Sequence, residues 1–295
     1  GKTMTRELLM IIVRVTITII ILILFHYSML DLITYINIQN IIFLIGCFVL
    51  IIFSKRYFLK GENSSSIKNI HVEFKKYSLP LFYASIIGLI CVLIDRFLLQ
   101  VYAGSIDQGY YSLGFNLSNI SILLTSSFTP LLIREYSVAF QNNNLRKLRY
   151  LFLKYVPLFF VLSSMLSIFL TVHGDLLVNI IGGEDFNKAI IPVIIMLLSP
   201  IHQCYGQLSG ALMTATDRTK EYGYISIIHT LIGVPVTYLL LMPNNYYGLD
   251  FGATGLAIKV VSLQFFYVNV QLWLNTKYLN ISFKKLIFHQ LIIIF

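Results

Sequence analysis

Long apolar runs constrain the fold of this chain more than any other feature of its sequence. A helical bilayer span needs about 20 mostly apolar residues, and runs of that order recur along the whole chain. Soluble domains carry about 25% charged residues, whereas here 12% are charged and 57% are hydrophobic. We therefore predict an all-α, polytopic helical membrane protein with about eight full spans and a truncated ninth. The predicted spans are Leu8–Tyr27, Asn37–Phe53, Leu79–Val101, Leu113–Ile133, Tyr155–Val172, Ala189–Met213, Tyr222–Met242, Ala253–Leu274 and the segment that starts at Leu286.

Lys and Arg are distributed unevenly between the predicted loops. All but four of the 22 lie in segment ends and loops on one side of the predicted membrane, and the alternate loops hold none. Basic residues near spans stay cytoplasmic, so the first residue is predicted to be cytoplasmic and odd-numbered spans to run outward. The net charge of +9 then reflects topology and contact with anionic lipid, and nucleic acid is not expected as a partner. The four exceptions are Arg14, Arg96, Lys188 and Lys259.

The sequence lacks the motifs that would indicate an enzyme or a metalloprotein. Its three cysteines fall inside predicted spans, where Cys behaves as a small apolar residue. The six histidines show no metal-ligand spacing, and the chain has no nucleophile elbow, phosphate loop or dinucleotide fingerprint. The longest predicted outer loop, His173–Phe186, is too short to hold the catalytic residues of a membrane-bound glycosyltransferase or polymerase. We expect no enzymatic activity, cofactor or metal.

Polar residues in the third and fourth predicted spans fall on defined helix faces. Asp95 continues a stripe of small residues at three- and four-residue spacing, whereas Arg96 lies about 100° further around the helix. The two charges therefore point in different directions, and charges at membrane depth usually face a bundle interior or a cavity. We expect Asp95 to pair with a neighbouring helix or with the turn Gly109–Ser112, and Arg96 to face a cavity or the outer interface. In the fourth span, Asn116 and Asn119 begin a similar polar face.

Four further candidate residues lie within the predicted spans. Gln203 and Gln207 lie one turn apart in the sixth span, near small residues that let helices approach closely. Lys259 lies about 9 Å from the outer end of the eighth span at 1.5 Å per residue. Because the chain places no Lys or Arg in its predicted outer loops, a cavity-facing role for Lys259 is favoured. For Arg14 the sequence leaves two alternatives open, which are snorkelling to the inner interface and a role in substrate binding.

Three stretches of the chain together indicate a family. The first, LPLFYASIIGLICVLIDRFLLQVYAGSIDQGYYSLGFNLSNISILLTSSFTPLLIREYS, combines a Pro near a helix start, an Asp-Arg at its outer end, a Gly-Tyr-Tyr-Ser turn and an Asn-rich helix ending in Pro130. Two later stretches are GQLSGALMTATDRTKEYGYISIIHTLIGVPVTYLLL and YGLDFGATGLAIKVVSL. In this order they resemble the second lobe of polysaccharide flippases of the MOP superfamily, the Wzx-type transporters of O-antigen and capsule repeat units.

The resemblance implies a MATE/MOP-like fold of two pseudo-symmetric helical lobes around a central cavity. The chain would then hold the last two helices of the first lobe in residues 1–60 and a basic cytoplasmic linker in residues 61–78. The six-helix second lobe would occupy residues 79–276, and a cytoplasmic turn with the start of an additional helix residues 277–295. The first four helices would be missing, so transport by this chain alone is not expected, because alternating access needs both lobes.

The resemblance also implies a function. It indicates a flippase that moves undecaprenyl-diphosphate-linked oligosaccharide units across the bacterial plasma membrane by alternating access. Cationic side chains would surround the diphosphate, and amides would bind sugar hydroxyls. The substrate-binding candidates are Arg14, Arg96, Lys259, Asn116, Asn119, Gln203 and Gln207. The implied partners are the lipid-linked oligosaccharide, membrane lipids, a polysaccharide polymerase and glycosyltransferases. The alternative is a MATE-like, ion-coupled multidrug antiporter in which Asp95 binds the coupling cation.

Overall fold

The computed structural model describes residues 15–24, 31–58 and 64–294, and in these ranges the chain is helical without a β-strand. Helices suit apolar segments in lipid because each satisfies its own backbone hydrogen bonds. The helices are α1 Val15–Leu24, α2 Leu32–Phe58, α3 Ser64–Tyr102, α4 Gly104–Gln141, α5 Leu145–Val172, α6 Gly174–Gly182, α7 Ile190–Ala215, α8 Thr219–Leu241, α9 Gly252–Leu279 and α10 Phe283–Ile294. Two 3-10 helices, Glu184–Ala189 and Asn244–Tyr246, lie before α7 and α9.

The protein is a multi-pass membrane protein. In the described part of the chain, six helices are long and apolar enough to span a bilayer. They are His71–Tyr102, Gly104–Gln141, Leu145–Val172, Glu184–Ala215, Thr219–Leu241 and Gly252–Leu279. These six correspond to the third to eighth predicted spans. The apolar parts nearer the N-terminus, Val15–Leu24 and Ile33–Gly46, are shorter, and both ends of the first predicted span lie outside the described residues.

The chain divides into two compact units, Gly1–Ile70 and His71–Phe295. In the first unit, the Asp31 carboxylate precedes α2 and accepts a 2.9 Å hydrogen bond from the backbone N–H of Thr34, as an N-cap does. Helix α3 begins at Ser64, within the stretch predicted as a linker, and continues into the second unit. The predicted domain limits stay predictions. All the sites described below belong to the second unit.

Helix α7 is the central helix of the second unit. It is buried along most of its length and packs against α4, α5 and α9. Tyr205 and Phe160 belong to a buried cluster at the end of the bundle that carries the basic loops. Leu197 and Leu256 belong to a second cluster towards the opposite end. Because lipid tails are as apolar as these side chains, close van der Waals packing stabilises the bundle.

The prediction of an outer loop between the third and fourth spans, at Tyr102–Ser112, is wrong. Ala103 alone separates α3 from α4, and the helix breaks at Gly104, whose φ of +86° is a backbone conformation that suits glycine. The stretch Gly109–Ser112 therefore lies within α4 instead of forming a turn, and both of its tyrosines are buried. The first residues of α4 are polar because the helix begins before its apolar span. Polar residues between two apolar spans are typical of a loop, which explains the wrong prediction.

Candidate functional site

Three helices of the second unit meet at a buried ion pair. The Asp95 Oδ2 atom on α3 lies 2.5 Å from the Lys259 Nζ atom on α9, and the two side chains are 15% and 8% exposed. Thr237 on α8 donates its hydroxyl to the other carboxylate oxygen, Oδ1, at 2.6 Å. Both oxygens of Asp95 thus have a donor on a neighbouring helix, and neither Arg96 nor residues 109–112 supply one of these bonds.

The two charges of this pair lie at matching depth. Asp95 lies seven residues before the end of α3, and Lys259 lies seven residues after the start of α9. At 1.5 Å per residue, each is about 10 Å from that helix end. The sequence analysis placed both residues at such a depth but did not pair them. Their equal depth could have predicted the pair, because opposite charges at one depth in a membrane tend to pair with each other.

Gly233 on α8 leaves the space in which Lys259 reaches Asp95. A Cβ atom at this position would lie 3.0 Å from Cε and 3.2 Å from Nζ of Lys259. Thr237 follows one turn later on the same helix face, and its hydroxyl also lies 3.0 Å from the carbonyl oxygen of Gly233. On α8, Gly233 therefore leaves space for the Lys259 ammonium, and Thr237 supplies a hydroxyl to the Asp95 carboxylate.

A groove of about 310 Å³ lies between α8 and α9. The residues that line it lie next to Gly233 on α8 and a few residues after Lys259 on α9 in the sequence. It is lined by aliphatic side chains, Phe266, and the rings of His229 and Tyr267, which stack with their centroids 4.4 Å apart. The His229 Nε2 atom is buried and has no hydrogen-bond partner in the described part of the chain. Because the groove presents an apolar surface, it suits a hydrocarbon chain and not a sugar.

Arg96 points towards α4. Its Nη1 atom donates a 3.0 Å hydrogen bond to the Ser112 hydroxyl. The guanidinium carbon lies 5.4 Å from the ring centroid of Tyr111 and 5.8 Å from that of Phe115, within cation–π range. The side chain is partly exposed. Because a guanidinium has five N–H donors in a rigid fork, the bond to Ser112 orients the group and leaves donors that suit a phosphate.

The two asparagine candidates continue the same side of α4. Asn116 and Asn119 follow Ser112 at spacings of four and three residues, which place all three on one helix face. Asn116 is exposed and Asn119 is partly buried. Arg96, which reaches over from α3, and the amides of Asn116 and Asn119 thus form a strip along one side of α4.

The two glutamine candidates lie on a different pair of helices. Gln203 on α7 accepts a hydrogen bond from the Gln264 side chain on α9. The Gln264 amide oxygen accepts a 3.1 Å bond from the Ser199 hydroxyl. The Oε1 atom of Gln207 is buried without a hydrogen-bond partner in the described part of the chain. These amides form a polar seam inside the α7–α9 interface.

The remaining candidates add no further site. Arg14 lies outside the described residues, and Lys188 is exposed in the 3-10 helix before α7. Within residues 15–24, 31–58 and 64–294, no group of three or more His, Cys, Asp or Glu side chains could hold a metal ion.

Arg218, in the link between α7 and α8, makes contacts that the sequence analysis missed. It forms an ion pair with Glu221, donates a 3.1 Å hydrogen bond from Nη1 to Oδ1 of Asn275 on α9, and lies 4.6 Å from the ring centroid of Tyr278. Asn275 is fully buried and its amide donates a 3.0 Å bond to the Ser209 carbonyl. Arg218 therefore ties the link between α7 and α8 to the last turns of α9.

Residues 2–132 match the family model described as "Polysaccharide biosynthesis protein". The matched part covers somewhat less than half of the chain. It ends in α4 and includes Asp95, Arg96, Asn116 and Asn119. No curated protein matches the chain significantly.

Two solved structures have a similar fold. One is a MATE mutant, with a TM-score of 0.64, and the other is MATE in complex with MaL6, with a TM-score of 0.63. Each is 13% identical in sequence and covers 76% of this chain, while 48% and 49% of the respective MATE chains are covered. The protein thus has a MATE-like fold and spans about half the length of these structures. The resemblance to MOP-superfamily polysaccharide transporters is confirmed at the level of family match and fold.

Proposed function

We propose that the full-length protein is a flippase that moves undecaprenyl-diphosphate-linked oligosaccharide units from the inner to the outer leaflet of a bacterial plasma membrane. The observation that carries this proposal is the match of residues 2–132 to a polysaccharide biosynthesis family, in a chain with a transporter-like fold. The process is a conformational one without a chemical step. The chain spans about half of the MATE structures, so the activity is proposed for the whole protein, in which two lobes move around one site.

The strip on α4 supplies the groups that such a cargo needs. Arg96 is oriented by the Ser112 hydroxyl and by two aromatic rings, so its remaining N–H donors can bind the diphosphate. Asn116 and Asn119 lie about 6 Å and 10 Å beyond Ser112 along α4 at 1.5 Å per residue, where amides can bind the hydroxyls of the first sugars. An elongated cargo with its charge at one end fits this order of groups.

The other candidates have indirect roles in this proposal. Lys259 can meet an anion only by leaving Asp95, its partner at 2.5 Å. Gln203 can meet a sugar only when the bond to Gln264 opens. Both are therefore assigned to states in which α9 shifts relative to its neighbours.

A MATE-like, ion-coupled multidrug antiporter is the second candidate. The fold and a carboxylate at membrane depth favour it, because Asp95 could bind a coupling cation. The ammonium of Lys259 already neutralises that carboxylate, and this counts against the antiporter.

Export of surface glycan by full-length variants tests the proposal. In cells that depend on this protein, we expect Arg96→Ala to lower surface glycan several-fold and to accumulate the lipid-linked precursor, with normal membrane levels of the protein. Arg146, an exposed arginine near the start of α5, provides the matched control, and Arg146→Ala should export normally. Unchanged export by Arg96→Ala would overturn the assigned role of Arg96, whereas normal glycan in a deletion strain with impaired drug efflux would favour the antiporter.

A further inference from the structure

The Asp95 carboxylate lies among oxygen atoms of the kinds that bind small cations. The Thr237 hydroxyl oxygen is 2.6 Å from Oδ1 of Asp95 and 3.0 Å from the carbonyl oxygen of Gly233. Carboxylate, hydroxyl and carbonyl oxygens are the ligands that hard cations take in proteins. The three groups come from α3 and α8, so a cation here would join two helices.

The Lys259 ammonium binds the other oxygen of the same carboxylate. Nζ is 2.5 Å from Oδ2 of Asp95, and the side chain extends from α9 past Gly233 into a nearly closed position. An ammonium has three N–H donors and no acceptor, so it carries the charge of a monovalent cation and needs the same oxygen partners. A Cβ atom at position 233 would lie 3.0 Å from Cε and 3.2 Å from Nζ, so with alanine there the end of the lysine side chain would have to shift by a few tenths of an ångström.

We propose that the Asp95 carboxylate, with the Thr237 hydroxyl on its second oxygen, forms a monovalent-cation site that the Lys259 ammonium occupies in this conformation. The cation is covalently attached to α9, so its presence does not depend on Na⁺ or protons in the medium. In consequence, α3, α8 and α9 are joined at this point without a free coupling ion. This inference is independent of the proposed cargo, and its test uses no cargo.

A simple ion pair and an occupied cation site differ in their response to removal of the ammonium. In a simple pair, Lys259→Ala strands a carboxylate that only an ammonium resembling the lysine end, such as methylammonium, restores. In a cation site, the same substitution opens a position bounded by the same oxygens, which a small cation can enter. Such an ion binds the folded protein and raises its Tm by mass action.

The test measures Tm of the purified full-length protein in chloride salts at constant ionic strength. Na⁺, Li⁺, K⁺ and methylammonium are each compared with the bulky cation N-methylglucamine. We expect one Tm for wild type in all salts. Lys259→Ala should have a lower Tm in N-methylglucamine and a saturable rise in at least one of Na⁺, Li⁺ and K⁺, whereas a rise in methylammonium alone would indicate a simple ion pair and overturn the proposal. Adding Asp95→Asn to Lys259→Ala should remove that rise.

Lys147 provides the matched control. It pairs with Glu135 at 2.9 Å near the basic end of the bundle, where the side chains are 40% and 35% exposed. Water already surrounds that pair, so Lys147→Ala should show no difference between the small cations and N-methylglucamine.

Binding of radioactive Na⁺ to wild type gives a second measurement that does not depend on a variant. We expect no saturable binding at Asp95. Saturable binding that Asp95→Asn abolishes would overturn the proposal, because the site would then take a free ion beside Lys259. A Lys259→Ala protein that responds to none of the three alkali cations, or that none of them allows to be purified, would overturn it as well.

Discussion

The carboxylate of Asp107, in the first turn of α4, accepts a 2.7 Å hydrogen bond from the backbone N–H of Ala253 in the first turn of α9. The first N–H groups of a helix have no partner within it, and a negative charge is favourable at this end. Gly252 makes the approach possible, since its φ is +51° and a Cβ atom there would overlap Oδ1 of Asp107. One helix of the bundle thus caps another.

Asp107→Ala is expected to lower the stability of the protein. Loss of a helix cap costs about 0.5–2 kcal/mol, and a lower Tm of the purified protein would report it. Gly252→Ala should lower Tm further because it adds both overlap and an unfavourable backbone conformation. Glu73→Ala, at an exposed acid in the interior of α3, is the control and should leave Tm unchanged. A Gly252→Ala protein as stable as wild type would contradict this role for Gly252.

Gly233→Ala is expected to disturb the ion pair between Asp95 and Lys259. The new methyl group would lie 3.0 Å from Cε of Lys259, so the end of the lysine side chain must shift by a few tenths of an ångström. Gly88→Ala on α3 is the control, because a Cβ atom there has no described atom within 4 Å. We expect Gly233→Ala to lower Tm and Gly88→Ala to leave Tm unchanged or raised, since Ala favours a helix over Gly by about 1 kcal/mol. Equal values of Tm for the two variants would contradict this reading.

A double-mutant cycle should reveal the coupling between Asp95 and Lys259. Removing one partner of a buried ion pair costs about 3–5 kcal/mol because the other charge is stranded. We therefore expect Asp95→Asn and Lys259→Gln each to destabilise the protein strongly, as measured by chemical denaturation. The double variant carries no stranded charge and should be more stable than either single variant. Additive effects would show that the two residues act independently.

The extent of sequence-based prediction differs between the spans and the site. Apolar length alone located the third to eighth spans, since each had to cross a bilayer. Helical geometry separated Asp95 from Arg96, and the structure directs them to α8–α9 and to α4 respectively. The pairing of Asp95 with Lys259, 164 residues away, depends on which helices are neighbours, and apolar length does not specify that. The cap by Asp107 was missed because its polar surroundings resemble a loop.

Cysteine accessibility should establish the orientation of the second unit in the membrane. Ser105 and Asp175 are exposed beside breaks at one end of the helix bundle, and Asn143 is exposed in the connection at the other end. Basic residues cluster at the end with Asn143, which predicts that this end is cytoplasmic. In intact cells, a membrane-impermeant thiol reagent should label Ser105→Cys and Asp175→Cys but not Asn143→Cys.

The native cysteines set the background of this labelling experiment. Cys91 and Cys204 are buried within the bundle, so they should react little, and Cys47 is replaced by Ala in all variants. Asn143→Cys should become labelled once the cells are permeabilised, which shows that the thiol is reactive and was protected by the membrane. Labelling of Asn143→Cys in intact cells, with protection of Asp175→Cys, would reverse the orientation. The strip of Arg96, Asn116 and Asn119 would then begin near the cytoplasmic face, and the predicted orientation of the second unit would be wrong.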